Sequence, residues 1–104
     1  MIKFKQGVDI KHIQPETALA IPMCYSVYQD LGYQHMTVTS VADGKHTEKS
    51  FHYKGLAFDV RLPEQDTREA STNVLAVQML RICLGRQFDI VLETDHIHIE
   101  FDPD

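Results

Sequence analysis

Two imidazoles and a carboxylate alternate with apolar residues in His96-Ile97-His98-Ile99-Glu100-Phe101. Side chains on a strand point to opposite faces in turn. Ile97, Ile99 and Phe101 are therefore expected on the core side, with His96, His98 and Glu100 together on the other. Two residues along a strand span about 6 to 7 Å, so both imidazoles can address one small site. A polar, wet strand face would give the same pattern, and a second cluster is what argues against it. That cluster is Ser50-Phe51-His52-Tyr53-Lys54-Gly55-Leu56-Ala57-Phe58-Asp59. His52 ends a loop, Gly55 permits a sharp entry into a strand, and Asp59 falls on that strand's polar side. His and Asp are ordinary zinc ligands. His52, Asp59 and one imidazole of the final strand make three protein ligands and leave a fourth position open, the pattern of catalytic zinc. Two neutral imidazoles and one carboxylate leave net positive charge at such a centre, enough to bring the pKa of bound water to about 7.

The elements that must position these residues are readable from pattern. Residues 2–5 alternate apolar and basic, as a short edge strand does. Pro15 suits the first turn of a helix and Glu16 suits its positive end. That helix should run to about Leu31 and close at Gly32, with Pro22 kinking or splitting it. Residues 36–41 (MTVTSV) are β-branched and strand-like. Residues 42–56 read as an irregular loop containing the Asp43-Gly44 turn signal. Ala57 to Leu62 then alternates, with Phe58, Val60 and Leu62 on one face and Ala57, Asp59 and Arg61 on the other. Asp66 and Glu69 resemble a capping box, opening a helix that Gly85 stops after Leu84. Its residues Val74, Leu75, Val77, Met79, Leu80 and Ile82 are apolar on most sides, so it is expected to be largely buried. Strands near Phe88–Leu92 and His96–Phe101, joined by a tight turn at Glu93-Thr94-Asp95, complete the chain. The order is β, α, β, loop, β, α, β, β. It predicts one α+β domain over residues 1–104, a single small antiparallel-type sheet with helices on one face.

SFHYKGLAFD fits the SxHxxGxAxD signature of the zinc D-Ala-D-Ala metallopeptidases, the family of VanX-like dipeptidases and phage endopeptidases, and HIH fits their later HxH element. The stretch DGKHTEKSFHYKGLAFD also resembles the corresponding loop of hedgehog domains, which share a superfamily with the lysostaphin-like and D-Ala-D-Ala peptidases. The resemblance covers roughly residues 30 to 101. It implies a hedgehog/D-Ala-D-Ala peptidase-like fold and a Zn²⁺ ion held by His52, Asp59 and His98. It further implies His96 beside the metal as catalytic base or transition-state stabiliser. VanX-like members instead carry an acidic base three residues before the last ligand, which here is Asp95. Alternation puts His96 on the site face and Asp95 off it, so His96 is preferred and Asp95 second, with Glu93 behind both. Glu100 is a candidate to orient an imidazole. His46 occupies a position where hedgehog-like loops also carry histidine and is assigned to the substrate cleft. Ser50 is expected to brace the substrate loop by hydrogen bonding. Peptidase members usually carry an arginine after the Thr-Ser strand end. Here Thr39-Ser40 is followed only by Lys45, which is not equivalent at a bidentate site, and Arg61 is the substitute on the substrate side.

Composition agrees with a small globular domain. Of 104 residues 43% are hydrophobic and 24% charged, with a formal charge of −5. That acidic balance argues against nucleic-acid binding, which needs clustered cations, and against anionic membrane surfaces. The longest apolar stretch, near Ala18 to Cys24, falls short of the about 20 residues of a membrane span. Met1-Ile2-Lys3-Phe4-Lys5 lacks the apolar core of a signal peptide, so a cytosolic monomer is expected, with phage origin suiting a protein that acts on the cell wall. Cys24 and Cys83 are expected to be buried free thiols. His12 and His35 have no partner at useful spacing and read as surface or structural. The resemblance implies a zinc peptidase cutting cell-wall peptides next to a D-amino acid. The competing readings are a catalytically silent, hedgehog-like zinc-binding interaction domain and a domain whose histidines have no chemical role.

Overall fold

The alternating segments fold into five strands and the two long apolar segments into helices. The computed structural model describes residues 1–41, 55–66 and 70–103. In chain order the elements are β1 (Ile2–Phe4), α1 (Pro15–Asp30), β2 (Met36–Ser40), β3 (Ala57–Arg61), α2 (Ser71–Leu84), β4 (Phe88–Leu92) and β5 (His96–Phe101). The strands form one sheet in the order β1-β2-β3-β5-β4. Three of the four pairings are antiparallel, but β1 runs parallel to β2. The sheet is therefore mixed and not antiparallel throughout. The reason is the connection: α1 separates β1 from β2, and a helical crossover returns the chain in the same direction.

One core joins helices to sheet. Ala20, Cys24, Val27 and Tyr28 of α1 and Ala76, Val77 and Leu80 of α2 cluster with Met36, Val38, Phe58, Val60, Ile90, Ile97 and Ile99 of the strands. Phe58, Val60 and Leu62 lie in that core as the alternation predicts, and so do Ile97 and Ile99. The polar sides of β3 and β5 are left for the opposite face.

Helix α1 closes on Gly32, which takes a positive φ of 95°. Gly32 donates its N–H to the Gln29 carbonyl and Tyr33 donates to Tyr28, and the Tyr28 and Tyr33 rings meet edge to face at 6.4 Å. This is the Schellman closure with its apolar contact. Pro22 does not split α1, which runs unbroken through it. The carbonyl that loses its donor belongs to Ala18, and Ala18 and Pro22 are both exposed, so water can replace the missing bond.

Helix α2 departs from expectation in two ways. It begins at Ser71, after Ala70, and not after Asp66; Glu69 lies outside the described residues. The buried Asn73 side chain accepts from the Glu64 N–H and donates to the Glu64 carbonyl, both at 2.8 Å, which ties the first turn to the preceding bend. The helix is also buried on one face only. Asn73, Ala76, Val77 and Leu80 face inward, while Leu75 is 45% and Ile82 84% exposed. Two helices in one layer leave the outer sides of both toward solvent. Cys83 lies on that outer side and is exposed, in contrast to the buried Cys24. Among the described residues no helix is long and apolar enough to cross a membrane.

Candidate functional site

Strands β3 and β5 pair antiparallel with Asp59 opposite His98, Arg61 opposite His96 and Ala57 opposite Glu100. Directly opposed side chains share a face at close range, so this register alone brings Asp59 to the two histidines. Next to Asp59 the β2–β3 register slips by one residue between Val38 and Ser40. Such bulges re-aim side chains, and here the Thr39 hydroxyl donates to the Asp59 carbonyl at 3.4 Å. From the core side, the Tyr28 hydroxyl donates to the Arg61 carbonyl at 2.6 Å, so α1 holds the end of β3 in place.

His98 Nδ1 lies 2.9 Å from Asp59 Oδ1, and His98 Nε2 lies 2.9 Å from Glu100 Oε1. A neutral imidazole carries one N–H and can satisfy only one of these acceptors. The arrangement therefore calls for positive charge at the ring, either a second proton or a metal ion at one nitrogen. In the metal-free protein it is the proton: the Asp59 carboxylate, with help from Glu100 and against partial burial, pushes the His98 pKa up to about 9.

His96 completes the face. Its Nε2 lies 3.6 Å from Asp59 Oδ2, and its Nδ1 lies 2.7 Å from Asp95 Oδ1. The Asp95 side chain is 87% exposed and lines the same cleft as His96 and Arg61. From the turn it still reaches the far nitrogen of His96, and that bond holds the Asp95 carboxyl below the usual carboxylate range. Asp95 is thus placed to orient His96. Arg61 lies on the same face, half-buried, and lines a cleft with His96. His46, Ser50 and His52 lie outside the described residues.

Asp59 and His98 are donors of the kind zinc takes; the third ligand that the resemblance implies, His52, lies outside the described residues. Ligand atoms about 2.0 to 2.1 Å from a tetrahedral centre stand about 3.4 Å from one another. The Asp59–His98 pair at 2.9 Å needs to open by only a fraction of an ångström. Glu100 on the other nitrogen is the carboxylate–histidine arrangement that fixes a metal-binding imidazole. Glu100 also belongs to an acidic group with Asp89 and Asp102, whose carboxylate oxygens come within 4.8 Å of one another. It offers oxygen alone, a donor set for hard cations and not a preference for zinc.

The sharp entry expected at Gly55 is present, but what packs against it was not legible in the sequence, nor was a second feature. Gly55 has φ +72°, and a Cβ there would sit 2.0 Å from the His12 carbonyl oxygen. The Gln14 N–H also donates to the Gly55 carbonyl at 3.0 Å. The start of α1 therefore braces the entry into β3. His12 is exposed, as expected, and has a positive φ of 63°. The second feature is Lys5, which shares the cleft beside His96 with Thr39, Arg61, Gln65 and Asp95. No signal joined it to that cleft, because residues 5 and 96 meet only through the sheet.

No protein-family model matches the chain, and no curated protein matches it.

Proposed function

We propose that this chain is a zinc-dependent peptidase that hydrolyses peptidoglycan-type peptides at an amide bond next to a D-amino acid, acting as a monomer, either in the cytosol or as a phage lysis protein. The observation that carries the reading is His98, whose two ring nitrogens each face a carboxylate oxygen at 2.9 Å on a face shared with a second histidine. The SxHxxGxAxD and HxH resemblance supplies the chemistry.

Asp59 and His98 would hold the ion together with His52. When bound, zinc supplies a Lewis acid for the substrate carbonyl and an acidified water. Asp59 contributes negative charge from a side chain only 11% exposed, where attraction to a cation is less screened than in bulk water. Glu100 holds His98 Nε2 and so leaves Nδ1 toward Asp59. Asp95 accepts from His96 Nδ1–H, which leaves a lone pair on His96 Nε2. That nitrogen faces the site and can take a proton from the attacking water and return it to the leaving amine. Arg61, opposite His96, contributes positive charge on the substrate side.

The test is digestion of a synthetic cell-wall stem peptide ending in D-Ala-D-Ala by zinc-loaded protein, read by mass spectrometry. Cleavage is expected, with loss of both zinc content and activity in Asp59→Ala and His98→Ala. Folded protein that binds stoichiometric zinc and leaves these peptides uncut would overturn the peptidase reading in favour of a silent zinc-binding domain.

A further inference from the structure

Two thiols take no part in the β3–β5 site, and the fold brings them together. They are the only cysteines of the chain. Cys24 lies on the core face of α1 and is fully buried, whereas Cys83 lies in the last turn of α2 and is exposed. The two helices pack against each other, and Cys83 Sγ comes within 4.0 Å of the Met23 carbonyl oxygen. Met23 directly precedes Cys24. Its carbonyl oxygen is about 3 Å from the Cys24 Cα, so the Cys83 sulfur lies within about 7 Å of that carbon. Burial pushes the Cys24 thiol well above the ordinary thiol range, and Cys83 adds to the rise, so the two sulfurs are electrostatic neighbours. A surface groove of about 200 Å³ opens at the same place, lined by Ser26, Val27, Asp30, Met79, Ile82 and Cys83. One thiol thus faces an open groove and the other stands behind it.

We propose that Cys83 and Cys24 form a reversible dithiol–disulfide pair, in which Cys83 receives a low-molecular-weight disulfide such as oxidised glutathione and Cys24 resolves it. The Cys83 thiolate attacks one sulfur of the small disulfide. A bond forms between them, the small S–S bond breaks, and the released thiolate takes up the proton that Cys83 gave to water. Cys24 then loses its proton and attacks Cys83 Sγ. The second small thiol leaves with that proton. Two protein thiols are oxidised, and one small disulfide is reduced to two thiols. The bridge needs Cα atoms about 4.4 to 6.8 Å apart. A change of rotamer at Cys83 and a slight approach of α2 to α1 supply this, and the groove gives them room. The bridge closes a long loop that contains β2 and β3, which stabilises mainly by restricting the unfolded chain. The pair is a dithiol in reducing surroundings and a staple across the helical layer in oxidising ones. None of this rests on the peptidase reading or on a metal.

The test is incubation of the folded, full-length chain with oxidised glutathione in native buffer. Samples are quenched with acid, alkylated and read by intact mass and peptide mapping, and urea midpoints are measured before and after. A transient glutathione adduct on Cys83 is expected first. It should give way to a product two hydrogens lighter than the reduced chain, with Cys24 and Cys83 in one cross-linked peptide. That product should unfold at higher urea than the reduced chain and lose the gain in dithiothreitol. Cys24→Ala should stop at the Cys83 adduct, and Cys83→Ser should leave Cys24 unmodified while folded. A Cys83 adduct that persists in the unaltered chain, a Cys83–Cys83 link between two chains, or an internal bridge that lowers the urea midpoint overturns the proposal. Each of these outcomes is read on the unaltered chain, so a variant that fails to fold does not obscure the result.

Discussion

Asp59 and His98 face each other across the β3–β5 ladder with Oδ1 and Nδ1 2.9 Å apart, and they are 39 residues apart along the chain. Glu100 holds the other side of the same ring. A histidine clamped between two carboxylates in this way favours positive charge on its ring, and under the proposed function that charge is a proton or a metal ion.

In metal-free protein the occupant is a proton, and stability should follow it. The His98 pKa rises from 6.5 to about 9 on folding. Below pH 6.5 both folded and unfolded forms carry the proton, and the stabilisation is fully present. Between pH 6.5 and about 9 the unfolded chain releases it first, so folding stability falls as pH rises. Urea unfolding in chelating buffer at several pH values should show this decline, and His98→Gln should flatten it. An unchanged slope in the variant would assign the pH dependence elsewhere.

On the proposed zinc reading the metal would displace that proton, and Glu100 should govern how well it does so. Glu100→Gln keeps the shape but removes the charge behind Nε2. Zinc affinity, measured by competition with a chromophoric chelator, is expected to drop about 10- to 100-fold. An unchanged affinity would mean that Glu100 merely decorates the strand.

Gly55 and Gly32 both have positive φ, but only Gly55 lacks space. A methyl group on Gly55 would meet the His12 carbonyl oxygen at 2.0 Å, whereas one on Gly32 would meet nothing within 4 Å. Gly32→Ala is expected to cost about 1 kcal/mol from backbone strain alone. Gly55→Ala must also push the His12–Ile13 backbone away, at a cost of more than about 2 kcal/mol. Denaturant midpoints of the two variants compare the effects directly.

Two buried polar side chains should respond in opposite senses. Asn73 makes both bonds to Glu64, and Asn73→Ala is expected to lose about 2–3 kcal/mol. The Thr17 hydroxyl is buried without a hydrogen-bond partner among the described residues. Thr17→Val should be neutral or raise stability by about 1 kcal/mol. Loss of stability in the valine variant would show that the hydroxyl is bonded in solution.

The seven elements and their order were legible in the sequence because each rests on a local signal. Alternation places Phe58 and Val60 against Asp59 and Arg61, and Ile97 and Ile99 against His96 and His98. Pro15 opens α1 and Gly32 closes it through backbone geometry that neighbouring residues impose. Local pattern could not reach the direction of β1, which α1 decides as a crossover, nor the burial of α2. Val74, Leu75 and Ile82 have the composition of a core, but a single helical layer has only one covered side. The start of α2 was likewise decided at a distance, by Asn73 reaching back to Glu64.

At the site, the sequence alone determined which residue types share a face, since period two is a property of any strand. Only the tertiary structure decided which of them touch. The β3–β5 register sets Asp59 directly opposite His98 with His96 within 3.6 Å, the turn lets Asp95 bend round to His96, and the sheet order brings Lys5 and Arg61, two strands apart, to one cleft. A shift of one residue in the β3–β5 register would part Asp59 from His98 without changing a single local preference, because register is fixed by packing between strands and not within them.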